Sequence, residues 1–440
     1  MRFETMTIKR VGINGEGIGY VHNKICFVKN ALPLEEVDVK IVKEERRFMI
    51  GEVKTIKKKS SMRQKSPCRQ FPACGGCALL HMNYADQLNF KLDILKETLE
   101  KYAPYDLSEV HFYPVQGMES NRHYRQQIAL PVTYDKGKLR VGIYQRESKI
   151  LTYMDHCVMQ DRVINDAIVK IEEILNKYHC HDYNDKFKKG IRFLIIRKVS
   201  DELQVIFVTG TDGIDKKATH EMTKIDAVKG LFYTVNTTRH QDFALQGYKR
   251  IYGTPYLSYD YNGHTYTFSV KTDLIENTDA FDAEVKLLRE RIAKEDKVLS
   301  INCGNAIVEC ELDQEIVAID ESKENTDSAE KNIEKNGFEH IRVIHGKVKD
   351  IAASQMRHHK YDTVIIRLKR DQINGDLVES LYKGHVQKVI LISDNVSSLA
   401  KSLKDDNDYF VKYFNFVSAD AIDHAPHSAR ANYILTLERK

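Results

Sequence analysis

From about Thr278 to the end of the chain helical and strand periods alternate, and this rhythm constrains the fold more than any other feature of the sequence. A helical stretch through Ala283–Ala293 leads to the strand-like KVLSI and a loop at Asn302-Cys303-Gly304-Asn305. The strand-like EIVAID and the helical KENTDSAEKNIEKNG follow, with Gly337 as a helix stop. IRVIHG, YDTVIIR and KVILIS read as further strands, a helix comes after the last, and YFVKYFNFV and NYILTLER are expected as terminal strands. Parallel strands joined by crossover helices predict a doubly wound, Rossmann-like α/β domain over residues 269–440.

The opening segment has another rhythm. Short alternating apolar runs, broken by Gly12, Gly15, Gly17, Gly19 and the Ala31-Leu32-Pro33 break, predict a small OB-like β-barrel of about five strands over residues 1–59. Between the two lies a stretch, residues 60–268, of mixed character. It opens with a helix from Tyr84 to Tyr102, where Leu88, Leu92, Leu95 and Leu99 recur at spacings of three and four. Strands such as IALPVTY, LRVGIY, IRFLIIRKV and LQVIFVTG follow, with one helix around Val163–Tyr178, so a central α+β domain is expected. At 440 residues the chain suits this multidomain division, and it contains no internal repeat.

With 42% hydrophobic and 30% charged residues the chain matches neither a disordered nor a membrane-spanning composition, and no apolar run has membrane length. The start, MRFETMTIKR, lacks the order of a secretory signal, so a cytoplasmic protein with no membrane partner is expected, as a monomer. A net charge of +4 does not by itself demand a polyanion. The charge is uneven, however: Lys57, Lys58 and Lys59 are soon followed by Arg63, Lys65 and Arg69. Such a run is ordinarily a solvated face. In ESNRHYRQQ, cations and a ring interleave at Arg122, His123, Tyr124 and Arg125. Guanidinium groups answer phosphates and aromatic faces stack on unpaired bases, so this mixture beside a small barrel and a lysine run points to looped or single-stranded RNA. Arg122, Tyr124, Arg125, Lys57, Lys58 and Lys59 are the candidate contacts.

Of eight cysteines, Cys68, Cys74 and Cys77 fall in PCRQFPACGGCALLH with spacing C-x5-C-x2-C and a Gly75-Gly76 pair. In a reducing compartment clustered thiols point to a metal, and Cys157 in MDHCVMQ is the best fourth ligand. The spacing leaves zinc and a 4Fe-4S cluster both open. Either would staple the loop. The NCGNA loop after KVLSI lies where a doubly wound domain binds its cofactor, with Gly304 for close approach and Asp320, ending the next strand, for a ribose. Ala306 stands where a second glycine is expected.

Together these features resemble the RNA (uracil-C5) methyltransferase family, in its iron–sulfur branch acting on ribosomal RNA, over nearly the whole chain. The GEGIG turn and FVKNALP are similar to that family's TRAM domain, CRQFPACGGCALLH with YADQLNFK and HCVMQ to its cysteine segments, and YRQQ to a Tyr-Arg-Asn segment. The resemblance implies that Cys68, Cys74, Cys77 and Cys157 hold a 4Fe-4S cluster. It also implies a chemistry in which a thiolate adds to uracil C6, C5 takes a methyl from S-adenosylmethionine, and a base removes the C5 proton.

The catalytic motifs depart from that pattern. Ser393-Asp394-Asn395 stands for Ser-Cys-Asn, so a carboxylate occupies the nucleophile position. Arg367-Leu368-Lys369-Arg370 stands for Asp-Pro-Pro-Arg, Asn432 for the Glu base, and a position near Asn277 for a glutamine. Ser300-Ile301-Asn302-Cys303-Gly304-Asn305-Ala306 replaces Asp-Leu-Tyr-Cys-Gly-x-Gly, and Gly346-Lys347 replaces Gly-Asp. The resemblance with these losses implies an RNA-binding protein, on ribosomal RNA, that lacks a catalytic residue and a full S-adenosylmethionine loop. An active S-adenosylmethionine-dependent RNA methyltransferase, at uracil C5 or another atom, is the alternative. A sensor using the cluster to control RNA affinity is a third reading.

Overall fold

The computed structural model describes residues 2–145, 148, 150–238, 243–244, 246–369, 375–404 and 409–440. The chain divides into two compact units. One comprises Met1–Glu119, Ile373–Gly375 and Ile390–Lys440; the other comprises Ser120–Gln372 and Asp376–Val389.

The first unit opens with six strands, Arg2–Thr7, Arg10–Val11, Gly17–Val21, Lys24–Lys29, Glu36–Glu44 and Phe48–Lys58, forming one sheet in the order first, fifth, sixth, fourth, third, second. Alternation turns Met6, Cys26, Val28, Val37, Val39 and Met49 into a shared core. Gly17 has no room for a side chain, since a Cβ there would come 2.7 Å from the Ala31 carbonyl oxygen. Beside this core Glu35 is fully buried and accepts from the Leu32 N–H at 2.9 Å and from the Arg63 guanidinium at 2.5 and 2.8 Å. Burial alone would raise its pKa, but Arg63 and the backbone donors more than reverse that, so the carboxyl sits below its ordinary value. Arg63 also donates to the Asn30 carbonyl at 2.7 Å. A cation of the basic run is thus consumed inside the fold.

Helix Tyr84–Tyr102 starts where the Asn83 side chain accepts the Asp86 N–H, and it buries Phe90, Ile94, Leu95 and Leu99. It packs on helix Val396–Ser402. Its Lys91 is wholly buried against Asp423, and Gln87 accepts the His427 N–H at 3.0 Å, which ties the 423–427 segment down. Strands Phe414–Ile422 and Asn432–Arg439 pair antiparallel, with the short His111–Phe112 parallel to the former. The first half of YFVKYFNFV, expected as strand, is a helix, Tyr409–Tyr413. The spacing explains it: Tyr409 with Tyr413 and Phe410 with Phe414 are ring pairs four residues apart, at 5.8 and 6.1 Å, which a helical turn brings together and a strand separates.

The second unit holds a seven-stranded sheet in the order Leu151–Tyr153, Lys138–Tyr144, Gln127–Asp135, Ile191–Val199, Glu202–Thr209, Val228–Val235, Lys249–Gly253. Only Glu202–Thr209 and Val228–Val235 are parallel in it, joined through helix Lys216–Met222. Helix Arg162–Lys177, capped by Asp161, buries Ile164, Ile168, Ile171 and Leu175. Further on, strands Ile341–His345, Glu315–Asp320, Lys297–Ile301 and Thr363–Arg367 lie side by side and parallel in that order. Helix Lys323–Asn336 ends at Gly337, whose φ of 68° is the left-handed stop read from sequence. No helix among the described residues is long and apolar enough to cross a membrane.

Candidate cofactor site

Strand order reverses at Lys297–Ile301: the next strand in sequence, Glu315–Asp320, lies on one side and Thr363–Arg367 on the other. A crevice at the carboxyl ends of such strands is where a doubly wound sheet takes its ligand. The loop leaving Ile301 is tightly coiled there. Asn302, Gly304 and Ala306 have φ of 60°, 61° and 55°, and Ala306, a non-glycine in the left-handed region, opens a helix of only four residues, Ile307–Cys310. The Asn302 amide donates to the Arg367 carbonyl at 2.7 Å. Cys303 is buried, and burial followed by Glu309 and Asp320 pushes its pKa well above the ordinary thiol value. It is a thiol, not a nucleophile.

Asp320, the candidate ribose acid, is fully buried and already bonded on both oxygens. One oxygen accepts the Ser322 N–H at 2.8 Å; the other accepts the Gly304 N–H at 3.0 Å and stands 3.3 Å from the Lys369 ammonium. Beneath it, Arg367 bonds Glu284 at 2.8 Å and makes an ion pair with Glu309. Ser300 donates its hydroxyl to Glu309 at 2.7 Å. Burial alone would lower the Arg367 pKa, but Glu309 and Glu284 reverse it, so the guanidinium is firmly charged. The cation at the position of the motif's first acid therefore has its own buried counter-ions. Asn277, near the motif's glutamine position, is used as the cap of helix Thr278–Arg291, accepting from Asp279 and Ala280. Lys347 is exposed before helix Val348–His358, and Arg370 lies outside the described residues.

Asp394 and Asn432 belong to the first unit. Asp394 follows the Lys388–Ser393 strand half-exposed, its carboxylate 3.8 Å from the Arg430 guanidinium, while the Asn395 side chain caps helix Val396–Ser402. Asn432 starts the last strand opposite Ile422 and is partly exposed. Neither position carries a thiolate: Asp394 is a carboxylate facing a guanidinium, and Asn432 is an amide.

Cys68, Cys74 and Cys77 are partly exposed on the loop before Tyr84. Gly75 has a φ of 68°, and a Cβ at Gly76 would stand 3.2 Å from the Cys74 sulfur, so the glycine leaves that sulfur's flank open. Among the described residues no three His, Cys, Asp or Glu side chains are grouped to hold a metal ion. In the second unit, Asn165 clamps the Cys157 backbone, accepting its N–H at 3.2 Å and donating to its carbonyl at 3.0 Å. The Arg122–Arg125 segment is laced to the stretch that follows Cys157. The Arg125 N–H donates to Met159, the Asp161 N–H to Arg125, and His123 Nδ1 lies 2.9 Å from the Gln160 carbonyl. Arg122 is exposed, and Tyr124 and Arg125 are partly buried. Lys57 pairs with Asp38 at 2.9 Å, and Lys58 and Lys59 are exposed.

Residues 3–54 match the TRAM domain family. An uncharacterized RNA methyltransferase of Bacillus cereus is 29% identical over 452 residues, covering 99% of this chain and 96% of that protein. Another, from Streptococcus pyogenes serotype M1, is 26% identical over 445 residues, covering 99% and 98%. Residues 3–54 thus carry a TRAM domain, and over nearly its whole length the chain is similar to proteins named as RNA methyltransferases. Among solved structures, the tRNA (uracil-54, C5)-methyltransferase of Pyrococcus abyssi, in complex with S-adenosyl-L-homocysteine, superposes with a TM-score of 0.77. At 18% identity, and with 99% of this chain and 100% of that one covered, the likeness shows a shared fold.

Sequence reading missed the joint role of Arg367, Glu309 and Glu284. The available signal was a cation at a strand end together with a glutamate in the shortened helix behind the loop. Spacing of 58 and 83 residues hid the pairing.

Proposed function

We propose that this chain binds structured RNA, ribosomal RNA in particular, on a methyltransferase scaffold and transfers no methyl group. One observation carries the reading: Asp320 is bonded within its own chain by Gly304, Ser322 and Lys369. A ribose would have to displace Lys369 from a buried carboxylate, and beneath it the Arg367–Glu309–Glu284 group fills the strand ends with paired charge. The TRAM match and the exposed Arg122, Lys58 and Lys59 support RNA as the partner. The protein works as a cytoplasmic monomer in this reading. Calorimetric titration with S-adenosylmethionine is expected to give no tight binding, and a micromolar dissociation constant would defeat the proposal. Filter binding to a ribosomal RNA fragment is expected to weaken steeply with salt.

A methyltransferase active on another atom is favoured by the retention of Gly304 and Asp320 at the crevice. Transfer of labelled methyl groups to a transcript by the pure protein would establish it. The resemblance implies Cys68, Cys74, Cys77 and Cys157 as ligands of a 4Fe-4S cluster of structural role, and soft donors of partial exposure with a bare Gly76 flank support the three in the first unit. Iron and sulfide analysis of anaerobically purified protein tests it; zinc in place of iron would refute it.

A further inference from the structure

The edge strand Lys249–Gly253 is exposed along its whole length, and it ends in a corner that turns into strand Tyr256–Tyr261. Two tyrosines flank this corner: Tyr252 and Tyr256 are 43% and 42% exposed. The corner is rigid. Gly253 has a φ of 73°, and a Cβ there would come 1.8 Å from the Lys229 carbonyl oxygen, so only glycine fits. The Thr254 N–H donates to that same carbonyl at 3.0 Å, and the Pro255 carbonyl accepts from Val270 at 3.1 Å and from the buried Gln204 amide at 2.8 Å. The Tyr256 N–H is held by the Thr254 hydroxyl at 3.1 Å.

Cations lie at one of the rings and along the paired strands. Lys331 stands 5.8 Å from the Tyr256 ring centre, and Lys249 stands 5.5 Å from that of Tyr233. Arg250 and Lys229 are exposed nearby on the paired strands. None of these four cations has an ion-pair partner among the described residues. Glu330 and Glu334 flank Lys331 on its helix, so the positive field rests on Lys229, Lys249 and Arg250. Charge on an edge strand also guards against strand addition, but that duty calls for no exposed ring. Fixed aromatic faces beside unpaired cations are what an unpaired nucleotide stretch recognises: rings take the bases and cations the phosphates.

We propose that the Lys249–Tyr256 corner is a contact surface for unpaired RNA, with Tyr252 and Tyr256 stacking on bases and Lys229, Lys249, Arg250 and Lys331 answering phosphates. The inference rests on the RNA-binding reading and adds a place and a strand state to it. The test uses the full chain with a fluorescently labelled oligouridylate and, separately, a blunt-ended RNA duplex. Tyr252→Ala with Tyr256→Ala is expected to weaken oligouridylate binding about tenfold or more, with duplex binding changed far less. Tyr252→Phe with Tyr256→Phe keeps the rings and is expected to restore parental affinity. Lys249→Ala with Arg250→Ala is expected to lower the slope of log affinity against log salt by about 1.4. Equal oligouridylate affinity of the alanine pair and the parent, with circular dichroism confirming a folded chain, overturns this surface and leaves the RNA-binding reading standing. A parent that binds neither probe overturns both. A dimer lost on the same substitutions, with RNA affinity unchanged, would make the corner a protein interface and overturn the proposal.

Discussion

The cofactor loop and the Lys249–Tyr256 corner use their cations in opposite ways. At the loop, Arg367 and Lys369 are each answered by a carboxylate of the same unit: Glu284, Glu309 or Asp320. At the corner, Lys249, Arg250, Lys229 and Lys331 have no such partner among the described residues. A charge neutralised within the chain holds shape, while an unanswered charge on a rigid exposed corner is available to another molecule. Counting cations therefore says little about where a polyanion binds, and counting counter-ions says more. Arg63 makes the same point: it belongs to the basic run of the sequence, yet it is spent on buried Glu35.

Breaking the internal pairing should have the largest effect. Arg367→Ala leaves Glu284 and Glu309 uncompensated, and a loss of about 3–5 kcal/mol is expected from urea unfolding midpoints. A loss below about 1 kcal/mol would mean that the network is not what fills the strand ends. A pH change probes the first unit's counterpart. Burial, then Arg63, pulls His81 down to about 4 from an ordinary 6.5. The folded state therefore resists its protonation, and the stability it contributes is complete above pH 6.5 and is lost as pH falls toward 4. Glu35, held below its ordinary value, loses stability in the same direction at still lower pH. Between pH 6.5 and 5 His81 is expected to contribute a fall of about 2 kcal/mol. His81→Phe, which keeps a ring against Phe71, should remove that share while leaving the one from His424, which burial also pulls down to about 4.

Lys369→Ala sharpens the comparison from the other side. Its half-exposed ion pair should cost about 1 kcal/mol or less in stability. If Lys369 alone excludes ligand from Asp320, calorimetry should register a gain in S-adenosylmethionine affinity; no gain would place the obstruction in the Arg367 group. Smallest of all, Lys249→Ala should move stability by about 0.5 kcal/mol or less while weakening RNA binding, since its contact in the fold is an exposed one with the Tyr233 ring.

Much of the architecture was legible because it follows from period and punctuation. KVLSI, EIVAID and IRFLIIRKV form strands with the bounds read from sequence, and helix Tyr84–Tyr102 and the Gly337 stop follow from leucine spacing and glycine's left-handed freedom. YFVKY was misread because aromatic content suggested strand, whereas ring pairs four apart are satisfied by a helical turn. At the candidate site, the sequence named Gly304 and Asp320 and registered Arg367 and Lys369 as departures. It could not say whether those cations left a crevice open or closed it.

By itself, then, the sequence determined which segments become strands and helices, that the last part is doubly wound, and that a thiol and a catalytic base are missing from their motif positions. Those are local properties of residue type and spacing. Only the tertiary structure decided that Asp320 is already bonded, that Arg367 finds Glu284 and Glu309 across 83 and 58 residues, and that Tyr252 and Tyr256 stand at a locked, cationic corner. The physical reason is that a charge's role depends on what faces it through space, and the chain brings those partners together only when it folds.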